Sequence, residues 1–269
     1  MTYDTIAIER RDRVAVLAFN RPHVLNAFDP ALIEETNAAM AELGADEAIR
    51  AIVVRGEGRA FSAGFDLKAG AATAGQRDQA GWRKVLEADL AFIMQFWDCP
   101  KPTIAAVHGY CIGGAFELAL ACDVTVAAAG TRFGVPEVKF GSGAVALLLP
   151  WIAGSKAARE ILLTGDDQLS AERARELGIV NRVVPDGLEV DEALAIAGSM
   201  ARASVSAVRL SKLAINRSFD AMGLRAALAQ ALELDILIES SGGPERAEFD
   251  RIRRETGLQA ALAWRDRLG

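Results

Sequence analysis

The stretch PKPTIAAVHGYCIGGAFELALACD, residues 100–123, changes physical character twice and leaves one charge stranded at the second change. Thr103–Val107 has the short apolar run of a buried strand, residues 109–114 form a glycine-punctuated turn, and Gly114–Ala121 reads as a short helix. The stranded charge is Glu117. Its neighbours Ala115, Phe116, Leu118, Ala119 and Leu120 are apolar on every side, so no orientation of the helix leaves the carboxylate freely solvated. A buried, unpartnered carboxylate costs several kcal/mol. Glu117 therefore either caps the free N–H groups of its helix's first turn or works as an acid/base group. Gly113 and Gly114 favour the second reading, because glycines at a helix N-terminus let backbone N–H donors approach an anion or oxyanion.

The chain on either side supplies an α/β frame. Residues 3–9 and 13–19 are β-rich and separated by the charged Arg10-Arg11-Asp12, which predicts a hairpin. Asp29-Pro30 is an N-cap followed by a first-turn proline, and Leu32, Ile33, Met40 and Leu43 carry a helix to Gly44. Residues 51–54 form the next buried strand, and this strand–helix–strand order predicts a parallel pair. GEGRAFSAGFDLKAG (56–70) is a second glycine-punctuated turn, at the strand end where α/β folds place ligands. Residues 71–80, small and polar, are expected to form the most mobile loop. A helix over 81–97 stops before Pro100 and Pro102. Strands follow at 123–127 and 132–135, and Glu137 sits in an ordered turn after Pro136.

From Gly143 the pattern is mostly helical, interrupted by a strand over 179–184. Helices near 187–203, 206–219, 222–240 and 244–255 carry apolar residues at helical spacing. The basic, amphipathic end EFDRIRRETGLQAALAWRDRLG (248–269) reads as a solvated or subunit-packing segment, with direct ligand contact as the alternative. One boundary falls near residue 200, giving a core over 1–200 and a helical region over 201–269 suited to oligomer contacts.

Composition narrows the function. The 269 residues are enough for one sizeable α/β unit, and a net charge of −6 argues against a general nucleic-acid surface. Cys99, Cys111 and Cys122 match no zinc or redox spacing and suit a reducing, cytoplasmic compartment. With only His23 and His108, a histidine-rich metal site is excluded, and any serine triad depends on one of those two. No apolar run reaches the length of a membrane span, and the charged N-terminus lacks the core of a signal peptide.

Taken in order, the motifs resemble the crotonase superfamily, the enoyl-CoA hydratase/isomerase fold. NRPHVLNAF (20–28) looks like its N-terminal segment, AFSAGFDL (60–67) and AAVHGYCIGGAFELALACD (105–123) like its two oxyanion-hole segments, and FGVPEVKFG (133–141) like the segment with its second acidic residue. LLTGDDQLSAERARELGIVNRVVP (162–185) is similar to the usual continuation. The resemblance implies an α/β spiral of ββα units with a C-terminal helical region, and a lyase of acyl-CoA and fatty acid metabolism. It implies that the N–H groups of Phe65 and Gly114 hold a thioester carbonyl oxygen, and that Glu117 and Glu137 are the acid/base pair of the hydratase branch. Ala63, Phe65, Asp66, Leu67, Lys68 and Gly114 would contact the acyl-CoA. Neither a metal nor a separate cofactor is implied, coenzyme A being part of the substrate. A homotrimer or dimer of trimers is implied as well.

Two departures mark this chain. GSGAVALLLPWI (141–152) replaces a more glycine-rich stretch, and Phe65 stands where hydratases often carry alanine and where dehalogenase-like members carry phenylalanine. Glu137 argues against the dehalogenase branch. The alternatives are another crotonase reaction (isomerisation, hydroxyacyl-CoA dehydration, thioester hydrolysis) or a non-catalytic acyl-CoA-binding protein.

Overall fold

All six residues of the strand Val14–Phe19 are buried, which requires cover on both faces of the sheet. A computed structural model, describing residues 3–67 and 77–267, shows how that cover is arranged. This strand (β2) pairs antiparallel with β1 (Ile6–Arg11), and Asp12 turns the hairpin in the left-handed conformation at φ 53°. The turn lies later than the predicted 10–12. Arg10 and Arg11 stay in the strand, where they meet the carboxylates of Asp46, Glu42 and Glu9.

Helix α1 (Pro30–Ala45) starts as expected, with the Asp29 side chain accepting from the Leu32 N–H at 2.9 Å. It returns the chain to β3 (Ala51–Gly56), parallel to β2. Helix α2 (Gln79–Asp98) begins two residues before the expected 81, because Asp78 caps it through the Gly81 N–H at 2.8 Å. The expected loop over 71–80 otherwise lies largely outside the described residues. Next come β4 (Thr103–Val107), β5 (Tyr110–Ile112), α3 (Gly114–Ala121), β6 (Val124–Ala128) and β7 (Arg132–Gly134). Beyond them lie α4 (Leu149–Ile152), α5 (Gly154–Thr164), β8 (Leu169–Ser170), α6 (Ala171–Glu176) and β9 (Arg182–Val184). The last strand is shorter than the predicted 179–184; Ile179 and Val180 are buried in the turn before it.

The large sheet has the order β1-β2-β3-β4-β6-β9, parallel from β2 onward, and the small sheet the order β5-β7-β8. Strand β4 feeds β5 and then α3, while β6 feeds β7. The segment after β3 reaches the small sheet through a bridge between Ser62 and Cys111. Each pass of the chain therefore crosses from one sheet to the other before turning back, which is the ββα spiral.

Strand alternation sorts the core. Leu17, Phe19, Ile52, Val54, Ala105 and Val107 face one hydrophobic cluster, shared with α1, α2 and α3. Val14, Val16, Val53, Ile104, Ala106 and Val126 face another, where Ala193, Ala197 and Ala201 of α7 (Glu189–Arg202) lie against the sheet. Alanines at four-residue spacing form the flat stripe that such close packing needs. Helices α8 (Val205–Ala221), α9 (Leu224–Ser241), α10 (Pro244–Thr256) and α11 (Leu258–Asp266) follow, and among the described residues the last strand ends at Val184. No helix among the described residues is long and apolar enough to cross a membrane.

Candidate active site

The turn after β3 is fastened by the segment over 20–28. Asn26 is fully buried at φ 55°, a left-handed conformation that asparagine tolerates. Its Nδ2 donates to the carbonyls of Glu57 at 2.8 Å, Ala60 at 2.9 Å and Phe61 at 3.3 Å, while Oδ1 accepts from the Arg21 N–H at 2.8 Å. Ser62 Oγ donates to the Asn26 carbonyl and accepts from the Gly64 N–H. Phe28 then bridges to Phe65: its N–H donates to the Gly64 carbonyl and its carbonyl accepts from the Asp66 N–H. In a parallel bridge of this kind the Phe65 N–H points the other way.

On that other side lies the second glycine turn. A Cβ at Gly64 would stand 2.6 Å from the Ile112 carbonyl and 3.0 Å from the Gly114 nitrogen, so only glycine lets the two turns touch. The Phe65 ring covers the Cα of Gly114, where a Cβ would come within 2.5 Å of the ring. Gly114 opens α3, and its N–H is among the free donors of a first helical turn. Neither the Phe65 nor the Gly114 N–H donates to an acceptor among the described residues.

Both turns line a cavity of about 760 Å³, a size suited to small-molecule ligands. Glu117 and Glu137 line it too. Glu117 is 3% exposed, and its Oε2 accepts from the Ala146 N–H at 3.1 Å, a bond to a distant segment in place of the first-turn cap. Burial, and then the neighbouring charge of Glu137, push its carboxyl well above the usual range. Glu137 opens a 3₁₀ turn over Glu137–Phe140, and its Oε1 lies against Gly113, at φ 60°, where a side chain would displace it. Its Oε2 is buried and has no hydrogen-bond partner among the described residues. Burial raises the Glu137 carboxyl to about 8, with Asp235 and Glu239 adding to the shift.

Ala63, Phe65, Asp66 and Leu67 also line the cavity, whereas Lys68 lies outside the described residues. Asp66 pairs with Arg21, which also holds Asp29, so it has a fastening role in the loop. His108 is not at this cavity. Its Nε2 meets the Gly58 carbonyl in a separate cleft beside Glu189.

Of the two readings of residues 248–269, the alternative of contact at the ligand site gains support, because much of this segment closes the chain's own cavity. Phe249 stacks on Phe140 at 5.1 Å, Arg253 donates to the Leu67 carbonyl at 3.0 Å, and Arg265 pairs with Asp167 at 3.3 Å. Leu258, Gln259 and Leu262 face the cavity. The apolar face that suggested a subunit contact is thus partly used within the chain. Missing from the sequence reading were Asp89 of α2 and Asp235 and Glu239 of α9, three further carboxylates at the same cavity. The signal was present for Asp235, since Leu224, Leu228, Leu232 and Ile236 define a buried stripe on which helical spacing also places residue 235. Among the described residues no cluster of histidine, cysteine, aspartate and glutamate has the arrangement of a metal site.

Known proteins resemble the chain over most of its length. The chain is 40% identical over 234 residues to a probable enoyl-CoA hydratase of Mycobacterium bovis, covering 82% of this chain and 84% of that protein. It is 34% identical over 240 residues to a 2,3-dehydroadipyl-CoA hydratase of Escherichia coli K12, covering 88% and 91%. The crystal structure of an enoyl-CoA hydratase/isomerase from Xanthobacter autotrophicus Py2 superposes with a TM-score of 0.97 at 47% identity, covering 100% of this chain and 99% of that one. The enoyl-CoA hydratase/isomerase family profile matches residues 9–240. With the ββα spiral, this extent of similarity shows that the chain belongs to the enoyl-CoA hydratase/isomerase family, within the crotonase superfamily.

Proposed function

We propose that the protein is an enoyl-CoA hydratase, adding water reversibly across the 2,3-double bond of an acyl-CoA thioester. The observation that carries this reading is the presence, in one cavity, of two buried carboxyl groups with raised pKa and two uncommitted backbone N–H groups. The N–H groups of Phe65 and Gly114 would hold the thioester oxygen as negative charge develops on it; losing one such donor typically lowers the rate by about 10²–10³. Glu117 would take a proton from water as its oxygen bonds to C3, while Glu137 gives a proton to C2. The product gains one hydrogen and one hydroxyl, and return of the proton from Glu117 to Glu137 resets the site. Because burial opposes ionisation of both groups, the pair retains a proton near neutral pH, and ionisation of one raises the other.

The reaction needs no separate cofactor. Self-association and a cytoplasmic location belong to the same proposal. They are supported by the exposed Leu234, Leu237 and Ile238 on the outer face of α9 and by three buried, free cysteines. The test is to incubate the protein with 2-enoyl-, 3-hydroxyacyl- and 3-enoyl-CoA thioesters and read gain or loss of water by mass spectrometry. Glu117→Gln and Glu137→Gln should each lower kcat by orders of magnitude while thioester binding survives. Near-normal hydration by either variant removes that residue from the mechanism. Bound CoA with no turnover of any thioester would instead favour an acyl-CoA-binding protein.

A further inference from the structure

Asp235 sits in the middle of α9 with 2% exposure and lines the cavity, yet among the described residues neither of its carboxylate oxygens has a hydrogen-bond partner. A packing role accounts poorly for this. An aspartate within a helix gains nothing from helix propensity, and a buried polar group without a partner is destabilising. The Gly143 backbone N–H approaches Asp235 and opposes the rise that burial imposes on its carboxyl, but it falls short of the geometry of a full hydrogen bond.

Glu239, one turn further along α9, provides the contrast. Its carboxylate meets Ser142 Oγ and pairs with Arg246 at 3.1 Å, so that charge is compensated within the protein. Arg246 is further engaged by Asp250 at 3.3 Å. Asp89 faces the same space from α2, on the helix face that also presents Trp82, Val85 and Leu86 to the cavity. Arg77 lies within electrostatic range of Asp89 and stands 5.0 Å over the Trp82 ring. The region between α2, α9 and residues 142–146 thus combines apolar side chains with a buried acceptor that no side chain among the described residues donates to. It adjoins the reacting centre, because Ala146, whose N–H holds Glu117, belongs to the same segment as Gly143.

We propose that this part of the cavity recognises an acyl chain carrying a hydrogen-bond donor, a hydroxyl or an ammonium group, which Asp235 accepts with Asp89 nearby. The inference rests on the hydratase reading and adds the substrate class to it. Either donor would partner the buried oxygens. An acyl chain ending in a carboxylate would make ionisation of Asp89 and Asp235 costlier still and add a charge beside Glu239, while Arg77 and Arg246, the arginines that act on these acids, already face acidic neighbours. A plain alkyl chain would fill the walls and leave Asp235 unpartnered.

The test compares 2-enoyl-CoA substrates of matched length bearing a methyl, hydroxyl, amino or carboxylate group, with the substituent placed at successive carbons from C4. In the wild type, kcat/KM for the best hydroxyl or amino substrate should exceed that of its alkyl match by about tenfold or more, and the carboxylate should be poorest. The hydroxyl and amino arms distinguish which donor is preferred. In Asp235→Leu the ratio of donor-bearing to alkyl kcat/KM, taken within that one enzyme, should fall to about one or below. If that variant fails to fold, Asp235→Asn serves, since the amide keeps an acceptor for hydroxyl but loses the charge that favours ammonium. A wild type that handles alkyl chains as well as both donor-bearing chains overturns the proposal, as does an unchanged ratio in Asp235→Leu. If no thioester is hydrated, the hydratase reading fails on its own. Calorimetric Kd ratios for the corresponding saturated acyl-CoA thioesters then decide the pocket separately, with equal or stronger binding of the alkyl form overturning it.

Discussion

Glu137→Gln should stabilise the protein, and should do so more strongly as pH rises. In the folded chain the carboxyl titrates near 8 because it is buried, against an ordinary value of 4.5. Between those values the folded form holds a proton that the unfolded form has released, so stability falls with rising pH. Each pH unit in that window removes about 1.4 kcal/mol, a ceiling of about 5 kcal/mol over its whole span. Water entry and local relaxation lower the ceiling, and on the order of 2 kcal/mol should remain. Glutamine keeps the shape and never ionises, so the variant lacks this loss. Removing the Glu137 charge also lowers the Glu117 carboxyl, which adds to the variant's advantage as pH rises. Denaturant unfolding at fixed protein concentration, carried out at steps from about pH 5 to about pH 8, gives the difference between variant and wild type directly. It should be small at the acid end and grow toward the alkaline end. A difference that stays flat across the range would show that Glu137 ionises normally, and the argument for its holding a proton near neutral pH would fail with it.

Gly114→Val should lower kcat/KM by about 10² or more, because the new side chain must displace the Phe65 ring that covers Gly114; circular dichroism will establish that the fold persists. Asn26→Ala leaves three carbonyls without their donor and should lower stability by about 1–3 kcal/mol, read by denaturant unfolding, with a fall in kcat as the turn over 57–64 loosens. Leu237→Glu on the exposed face of α9 should dissociate a self-associated form, seen as a lower mass by light scattering; a compact, fully active wild-type monomer would refute the assembly itself.

Much of this fold could be read in advance because its strands are covered on both faces. Burial on both sides produces short continuous apolar runs such as 103–107, which glycines and prolines then punctuate, and those signals are local. Glu117 was legible for the same reason: a charge in a wholly apolar helix stands out in sequence. What holds it was not legible, since Ala146 lies 29 positions away and contributes only a backbone N–H, a group every alanine has. The C-terminal closure escaped for a related reason. Its apolar positions carry the same periodicity whether they pack on another subunit or on Phe140 of their own chain. Amphipathicity says that a face is covered, and nothing about what covers it.

That distinction also bears on how the cavity is kept. Glu117, Glu137, Asp89 and Asp235 are all pushed up by burial, Asp89 and Asp235 to about 7, and each therefore opposes folding as it ionises. A cavity formed by loops alone would respond by opening to water. Here the acids sit on α2, α3, α9 and the short turn after Pro136, and those elements are anchored elsewhere: α2 by buried Phe92, Phe96 and Trp97, α9 by buried Leu228, Leu232 and Ile236. The apolar residues of each helix hold in place the acid they flank, so the electrostatic strain falls on protonation state in preference to backbone position. Raised carboxyl pKa values are what a proton-transfer site requires near neutral pH. In this chain they follow from placing acids on well-packed elements, and that is why the predicted stabilisation by Glu137→Gln and its predicted loss of kcat have a single cause.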